Sequence, residues 1–174
     1  YSSAASDVYK RQLENFVDQL SNWYIRRNRR RFWKSEAGTD KQSAYLTLYQ
    51  CLNTLQHLIA PFMPFLAEEM YQNLVRSQDP GAPISVHMSE WPKVPDAWQD
   101  TALCEATEIV QDVVALGRAT REASQVRVRQ PLARLLVRAP TGEARQAVRD
   151  HEQQVLEELN VKSLEFIAAD AKLV

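Results

Sequence analysis

Apolar side chains recur at every third or fourth residue along most of this chain, and that spacing restricts it to packed helices. Tyr45, Leu48, Leu52, Leu55 and Ile59 step by 3, 4, 3 and 4, a seam that a helical bundle buries. Leu13, Phe16, Val17, Leu20, Trp23 and Tyr24 fall on one face of an earlier helix. The interval "SEAGTD" separates the two, with Gly38 past one helix end and Thr39 or Asp40 as N-cap of the next. Pro61 ends the second helix and Pro64 suits the first turn of a third. The buried stripe expected there is Phe62, Leu66, Met70 and Leu74. A fourth helix is expected from about Thr101 to Ser124. Its seam reads Leu103, Ala106, Val110, Val113, Gly117, Thr120 and Ser124. Side chains shrink along that seam, which lets another backbone approach.

Two segments break the helical rhythm. Residues 77–100 hold Pro80, Gly81, Pro83, Pro92 and Pro95, too much proline for a helix. Within them "PISVHMSEWP" alternates as an extended strip, which Trp91 and Trp98 are expected to pin onto the bundle. At the other end, "LARLLVRA" and "VKSLEFIA" are strand-like runs flanking a helical stretch from about Glu143 to Leu159. The fold class expected is therefore mainly α. A helical bundle over 13–126 contains the proline-rich connection, and a small, truncated β-α-β lobe follows at 127–174. Only 4 glycines in 174 residues agree with a helical chain. Residues 1–12, "YSSAASDVYKRQ", precede the first seam and read as a non-native artefact or linker, so they carry no fold argument.

The net charge of −1 hides a strong division. Residues 1–34 carry 8 Lys and Arg against 3 Asp and Glu, and residues 117–140 carry 6 against 1. Residues 35–116 carry 3 against 11. Such basic islands can mark a polyanion footprint, or they can pair with acidic helices of the same protein. No apolar run is long enough to span a membrane. Cys51 and Cys104 read as free thiols without metal-ligand spacing, and His57, His87 and His151 are scattered. No Gly-rich phosphate loop, Ser-His-Asp set or paired-carboxylate cleft is present. No catalytic or metal-binding residue is assigned.

The densest basic stretch is "SNWYIRRNRRRFW", residues 21–33. Continuing the apolar face in steps of 3.6 residues reaches Arg27 and Arg31, with Arg30 at its edge and Arg26 and Arg29 on the far side. Arg27 and Arg31 then need carboxylate partners or a bound anion. Glu69, at the edge of the third helix's stripe, is the candidate for a structural ion pair with either. A solvated Glu69 in a first helical turn serves equally well. Arg26, Arg29, Arg30 and Lys34 remain for solvent or phosphate. Packing on a neighbouring helix is one reading of the Trp33 ring. Arg127, Arg129 and Gln130 form a second candidate surface, or a structural joint fixed by Pro131. These residues alone leave two classes open, a nucleic-acid-binding module and a helical protein–protein scaffold.

Five segments occur in order: "LENFVDQLSNWYIRRNRRRFWKS", "DKQSAYLTLYQCLNTLQHLIAPFMPFLAEEMYQNL", "SVHMSEWP", "VRVRQPLARLLV" and "LEELNVKSLEFI". Together they resemble the C-terminal, anticodon-binding region of the isoleucyl-tRNA synthetases, class I enzymes, over residues 13–174. The same region of valyl-tRNA synthetases is the nearest competitor. The resemblance implies a tRNA-binding helical bundle within a cytoplasmic, monomeric ligase that joins isoleucine to its tRNA using ATP and magnesium. It also implies further chain carrying HIGH and KMSKS signatures, an editing domain and one more helix ahead of Leu13, none of which this sequence contains. No cofactor is expected in the present chain. Its expected partners are isoleucine tRNA and the rest of the synthetase. Arg26, Arg29, Arg30, Trp33 and Lys34 are expected to touch the anticodon loop, whose unstacked bases suit aromatic faces and whose phosphates suit guanidinium forks.

Overall fold

A computed structural model describes residues 3–33 and 38–168 and is mainly helical. The chain divides into two compact units, Tyr1–Lys93 and Val94–Val174.

In the first unit α1 (Ser3–Gln19) runs through a wide π-helical turn, Leu20–Ile25, toward the short α2 (Arg29–Trp33). The helix begins ahead of Leu13, and Tyr9 belongs to its packing. The Tyr9 hydroxyl donates to the Leu58 carbonyl at 3.2 Å, and its ring lies 5.4 Å from that of Phe62. At the other end, the Tyr24 hydroxyl donates to the Ala44 carbonyl at 3.1 Å. These two bonds fix α1 antiparallel to α3 (Thr39–Ile59). A tight turn at residues 60–63 leads to α4 (Pro64–Tyr71), with Pro64 in the first turn, where its missing N–H costs nothing. A second π-helical turn, Gln72–Arg76, extends it.

The core of this unit gathers Leu55, Ile59, Ala60, Ala67, Tyr71 and Val86, with Leu13, Met70 and Val75 packed against it. The inward face of α4 is therefore Ala67 and Tyr71, one residue on from the stripe expected. Phe62 and Leu66 are exposed. Small Ala67 lets α4 lie close to α3, and Tyr71 can go inside because its hydroxyl finds the Pro83 carbonyl at 2.9 Å.

The proline-rich connection is neither a strand nor pinned by tryptophan. It makes a 3-10 turn at Val86–Met88, and Trp91 and Trp98 are 58% and 61% exposed. Hydrogen bonds hold it instead. The Glu68 carboxylate accepts from the Ser85 hydroxyl at 2.8 Å, the Val86 amide at 3.1 Å and the Gln72 amide group at 2.7 Å. Gln72 also donates to the Ile84 carbonyl, and Arg76 to the carbonyls of Pro80 and Ala82. Glu68 is the latch of this segment. Its position there buries Val86.

The second unit holds α5 (Thr101–Ala123), β1 (Leu132–Val137), α6 (Gly142–Asp150), α7 (Glu152–Leu159) and β2 (Val161–Phe166). The two strands are parallel, Leu132 opposite Val161 and Val137 opposite Phe166. This is the β-α-β pattern expected, with its helix broken at His151. The long helix α5 packs on α6 and α7, whereas the sequence reading placed it with the bundle. Its buried residues are Val110, Val114 and Arg121, while Leu103 and Thr120 are exposed. Gly117 faces Leu159, whose Cδ2 would lie 2.8 Å from any Cβ added there. A large side chain, rather than a backbone, fills the gap left by the small residues. Cys104 on α5 is exposed, and Cys51 on α3 is half-buried.

Candidate nucleic-acid interface

The arginine-rich end of the first helix is anchored by one ring and one arginine. Phe32 is buried between Tyr24, Tyr45 and Trp33, in edge-to-face contacts at 6.3, 5.2 and 6.3 Å. The Tyr45 hydroxyl donates to the Phe32 carbonyl at 3.4 Å. Arg31 reaches the first turn of α3. Its Nε and Nη2 donate to the two Asp40 carboxylate oxygens at 2.9 and 2.6 Å, and Nη2 also donates to the Asp40 carbonyl at 3.0 Å. Nη1 donates to the Asn28 side chain at 3.0 Å, and Asn28 in turn donates to the Tyr24 carbonyl. The planar fork of arginine suits this bidentate contact.

The carboxylate that meets Arg31 is thus Asp40, not Glu69. Among the described residues no ion pair joins Glu69 to Arg27 or Arg31, and Glu69 accepts from the Asn73 side chain of its own helix. The reason is distance along α3. Arg31 lies at the N-terminal end of that helix, while α4 packs on its C-terminal part, roughly 20 Å away at 1.5 Å per residue. Arg27 instead sets its guanidinium 5.9 Å from the centre of the Trp23 ring.

The remaining side chains face outward. Arg26, Arg29 and Arg30 are exposed, and Trp33 is 68% exposed. Arg29 places its guanidinium 5.7 Å from the centre of the Trp33 ring. Arg30 has no ion-pair or hydrogen-bond partner among the described residues. Lys34 lies outside the described residues. Arg27 and Arg31 are half-buried, while Arg26, Arg29 and Arg30 are exposed. Phe32, which was not singled out from sequence, and Asp40, read there only as a possible N-cap, fix this end in place; the N-cap of α3 is Gly38. The only available signal was the position of Asp40 near a helix start.

In the second unit Arg127, Arg129 and Gln130 have exposed side chains on the loop between α5 and β1. That loop is shaped by Arg121, which sequence reasoning also passed over. Only 5% of Arg121 is exposed. Its guanidinium donates to the carbonyls of Arg127 (3.0 Å), Gln130 (3.0 Å), Leu159 (2.6 Å) and Asn160 (3.2 Å). The last two carbonyls close helix α7, where a cation opposes the negative end of the helix dipole.

The first unit is thus a helical bundle that ends in an exposed arginine–tryptophan surface. The family model described as the anticodon-binding domain of tRNA ligase matches residues 3–137, and the chain belongs to that family. Its curated relatives include an isoleucine–tRNA ligase of Dehalococcoides mccartyi, 51% identical over 88% of this chain. Those of Thermus thermophilus and Deinococcus radiodurans are 48% and 46% identical over 90% and 94% of it. The chain spans about 15% of the length of each. Among the described residues no group of three or more His, Cys, Asp or Glu could hold a metal ion, and no helix is long and apolar enough to cross a membrane.

Proposed function

We propose that this chain grips the anticodon arm of isoleucine tRNA as part of a cytoplasmic, monomeric isoleucine–tRNA ligase. ATP and magnesium would serve the aminoacylation elsewhere in that enzyme. The observation that carries the reading is the open side of residues 26–33. Arg29, Arg30 and Trp33 face outward there while Phe32 and Arg31 lock the same turns to α3. Rigid backbone beneath open guanidinium and indole groups suits a loop that offers phosphates and unstacked bases. Arg29 and Arg30 meet phosphate, Trp33 stacks on a base, and Arg26 and Lys34 widen the positive surface. Arg127, Arg129 and Gln130 supply a second contact.

The two kinds of contact separate in one experiment, fluorescence anisotropy of labelled isoleucine tRNA at several salt concentrations. Replacing Arg29 and Arg30 by glutamine flattens the dependence of log affinity on log salt by about 1.4, or about 0.7 per phosphate lost from a single strand. Trp33→Ala weakens binding by about 1–3 kcal/mol, the worth of one stacked base, and leaves that slope unchanged. A folded wild-type sample that fails to bind at low salt removes the proposal and favours a protein–protein scaffold. Tighter binding of valine tRNA would reassign the substrate.

A further inference from the structure

We propose that the loop Arg127–Gln130 is a phosphodiester-binding turn, held ready by Arg121 and Asn160. The inference rests on the tRNA reading above and adds the kind of group bound and the residues that prepare the site.

Four successive carbonyls in this loop are turned to one side and capped there. Arg121 takes those of Arg127 and Gln130, and the Asn160 side-chain amide takes those of Val128 and Arg129 at 3.1 and 3.0 Å. A trans peptide points its N–H opposite to its C=O. The amides of Val128 and Arg129 therefore point away from the two capping side chains. The Gln130 amide closes the turn onto the Arg127 carbonyl at 2.9 Å. Among the described residues the Val128 and Arg129 amides have no acceptor. The side chains of Arg127 and Arg129 are exposed and likewise have no partner among the described residues.

The result is a turn with its negative ends hidden and its positive ends displayed. Two free amides lie on the same short loop as two free guanidinium groups, an arrangement that suits a tetrahedral anion. Buried Arg121 adds a further positive charge beneath the loop, since its partners are carbonyl dipoles and no carboxylate among the described residues. The site is built rather than incidental. Asn160 holds its place in the left-handed backbone region at φ 49°, and its own carbonyl accepts both from Arg121 and from the Leu132 amide that begins β1. The loop is thereby tied to a helix end and a strand start at once. A turn made only to connect α5 with β1 would not need every carbonyl capped by a side chain. An acidic peptide is the less suitable occupant, because planar carboxylates use the guanidinium fork and leave the two amides idle.

The full chain and isoleucine tRNA supply the test. Two variants are needed. Replacing Arg127 and Arg129 by glutamine removes the direct contacts. Asn160→Gly keeps the left-handed backbone, which glycine tolerates, but uncaps Val128 and Arg129. The first should flatten the salt dependence of log affinity by about 1.4 and weaken isoleucine and valine tRNA by the same factor, because phosphate carries no sequence. The second should weaken binding several-fold with circular dichroism unchanged. In nitrogen–proton spectra the amide signals of Val128 and Arg129 should shift on adding tRNA in the wild type but not in Asn160→Gly. Binding that is lost on changing Arg29 and Arg30 but unaltered by either loop variant overturns this inference and leaves the tRNA reading intact. No binding by the wild type at low salt overturns both. Stronger shifts with an acidic peptide than with tRNA would reassign the occupant.

Discussion

Arg31 shows how far a residue's role can be taken from its place in a helical repeat. The period sets it on the apolar face, and a buried charge there would cost on the order of 3 kcal/mol to unpair. In the structure its side chain is 35% exposed and that of Asp40 is 70% exposed. Water screens such a pair, so the expected loss for Arg31→Ala is nearer ~1 kcal/mol, at the upper end for an exposed but bidentate contact. Urea melts of the variant against wild type check this. A loss of three or more would mean that Asp40 is more deeply enclosed than its exposure indicates. The partner itself was beyond sequence reasoning. Asp40 is only nine residues from Arg31, but whether the chain folds back at Gly38 to bring them together is decided by packing of Phe32 against Tyr45.

At the scale of elements, the helical seams were legible and the faces were not always. The spacing located α3, α4 and α5 to within a residue or two, because a 3-and-4 repeat fits no other structure. It misjudged which side of α4 is buried, because Phe and Leu outweigh Ala in any apolar count although Ala67 permits the closest approach. The same close packing makes Gly117 testable. Gly117→Ala gains helix propensity of about 1 kcal/mol but drives a methyl group into buried Leu159. Overpacking of that kind costs about 1–3 kcal/mol, so the net result expected is a lower melting temperature. A rise would show that Leu159 can rotate aside.

The latch at Glu68 gives unit one a pH response. The hydrogen bond from Gln72, then those from Ser85 and the Val86 amide, hold its carboxyl below the ordinary carboxylate range, while burial acts the other way. Folding therefore favours the ionised form. The stability it confers is fully present above about pH 4.3 and is lost as pH falls through the lower folded value. Acid titration of the melting temperature should show this limb, and Glu68→Gln should flatten it while lowering stability at neutral pH. An unchanged acid limb in the variant would remove Glu68 from the account. Sequence reading missed this contact because the partners, Ser85 and Val86, lie 17 and 18 residues further on, across a proline-rich connection.

For the whole molecule the apolar surface matters most. A groove of about 620 Å³ is floored by Leu13, Val17, Ile59, Phe62 and Met63 and edged by Lys10, Glu14, Asp18, Ser21 and Asn22; Phe65, shortly after Met63 in the chain, is 91% exposed. Contiguous apolar surface of this kind promotes association. Sedimentation of the chain should therefore give an average mass that rises with concentration. Replacing Met63 and Phe65 together by serine should lower it. A mass that stays monomeric at all concentrations would mean that the groove is too small to drive self-contact.

The two thiols differ enough to be told apart by chemistry alone. Cys104 is exposed on α5, while Cys51 is half-buried on α3 and burial pushes its thiol pKa up. Only the thiolate attacks a maleimide, so Cys51 is slowed both by access and by protonation. At neutral pH a single equivalent of dye should settle on Cys104. Each unit holds one of the two cysteines, so the native chain accepts a reporter on its second unit with no mutation and leaves the arginine-rich end of the first unmarked.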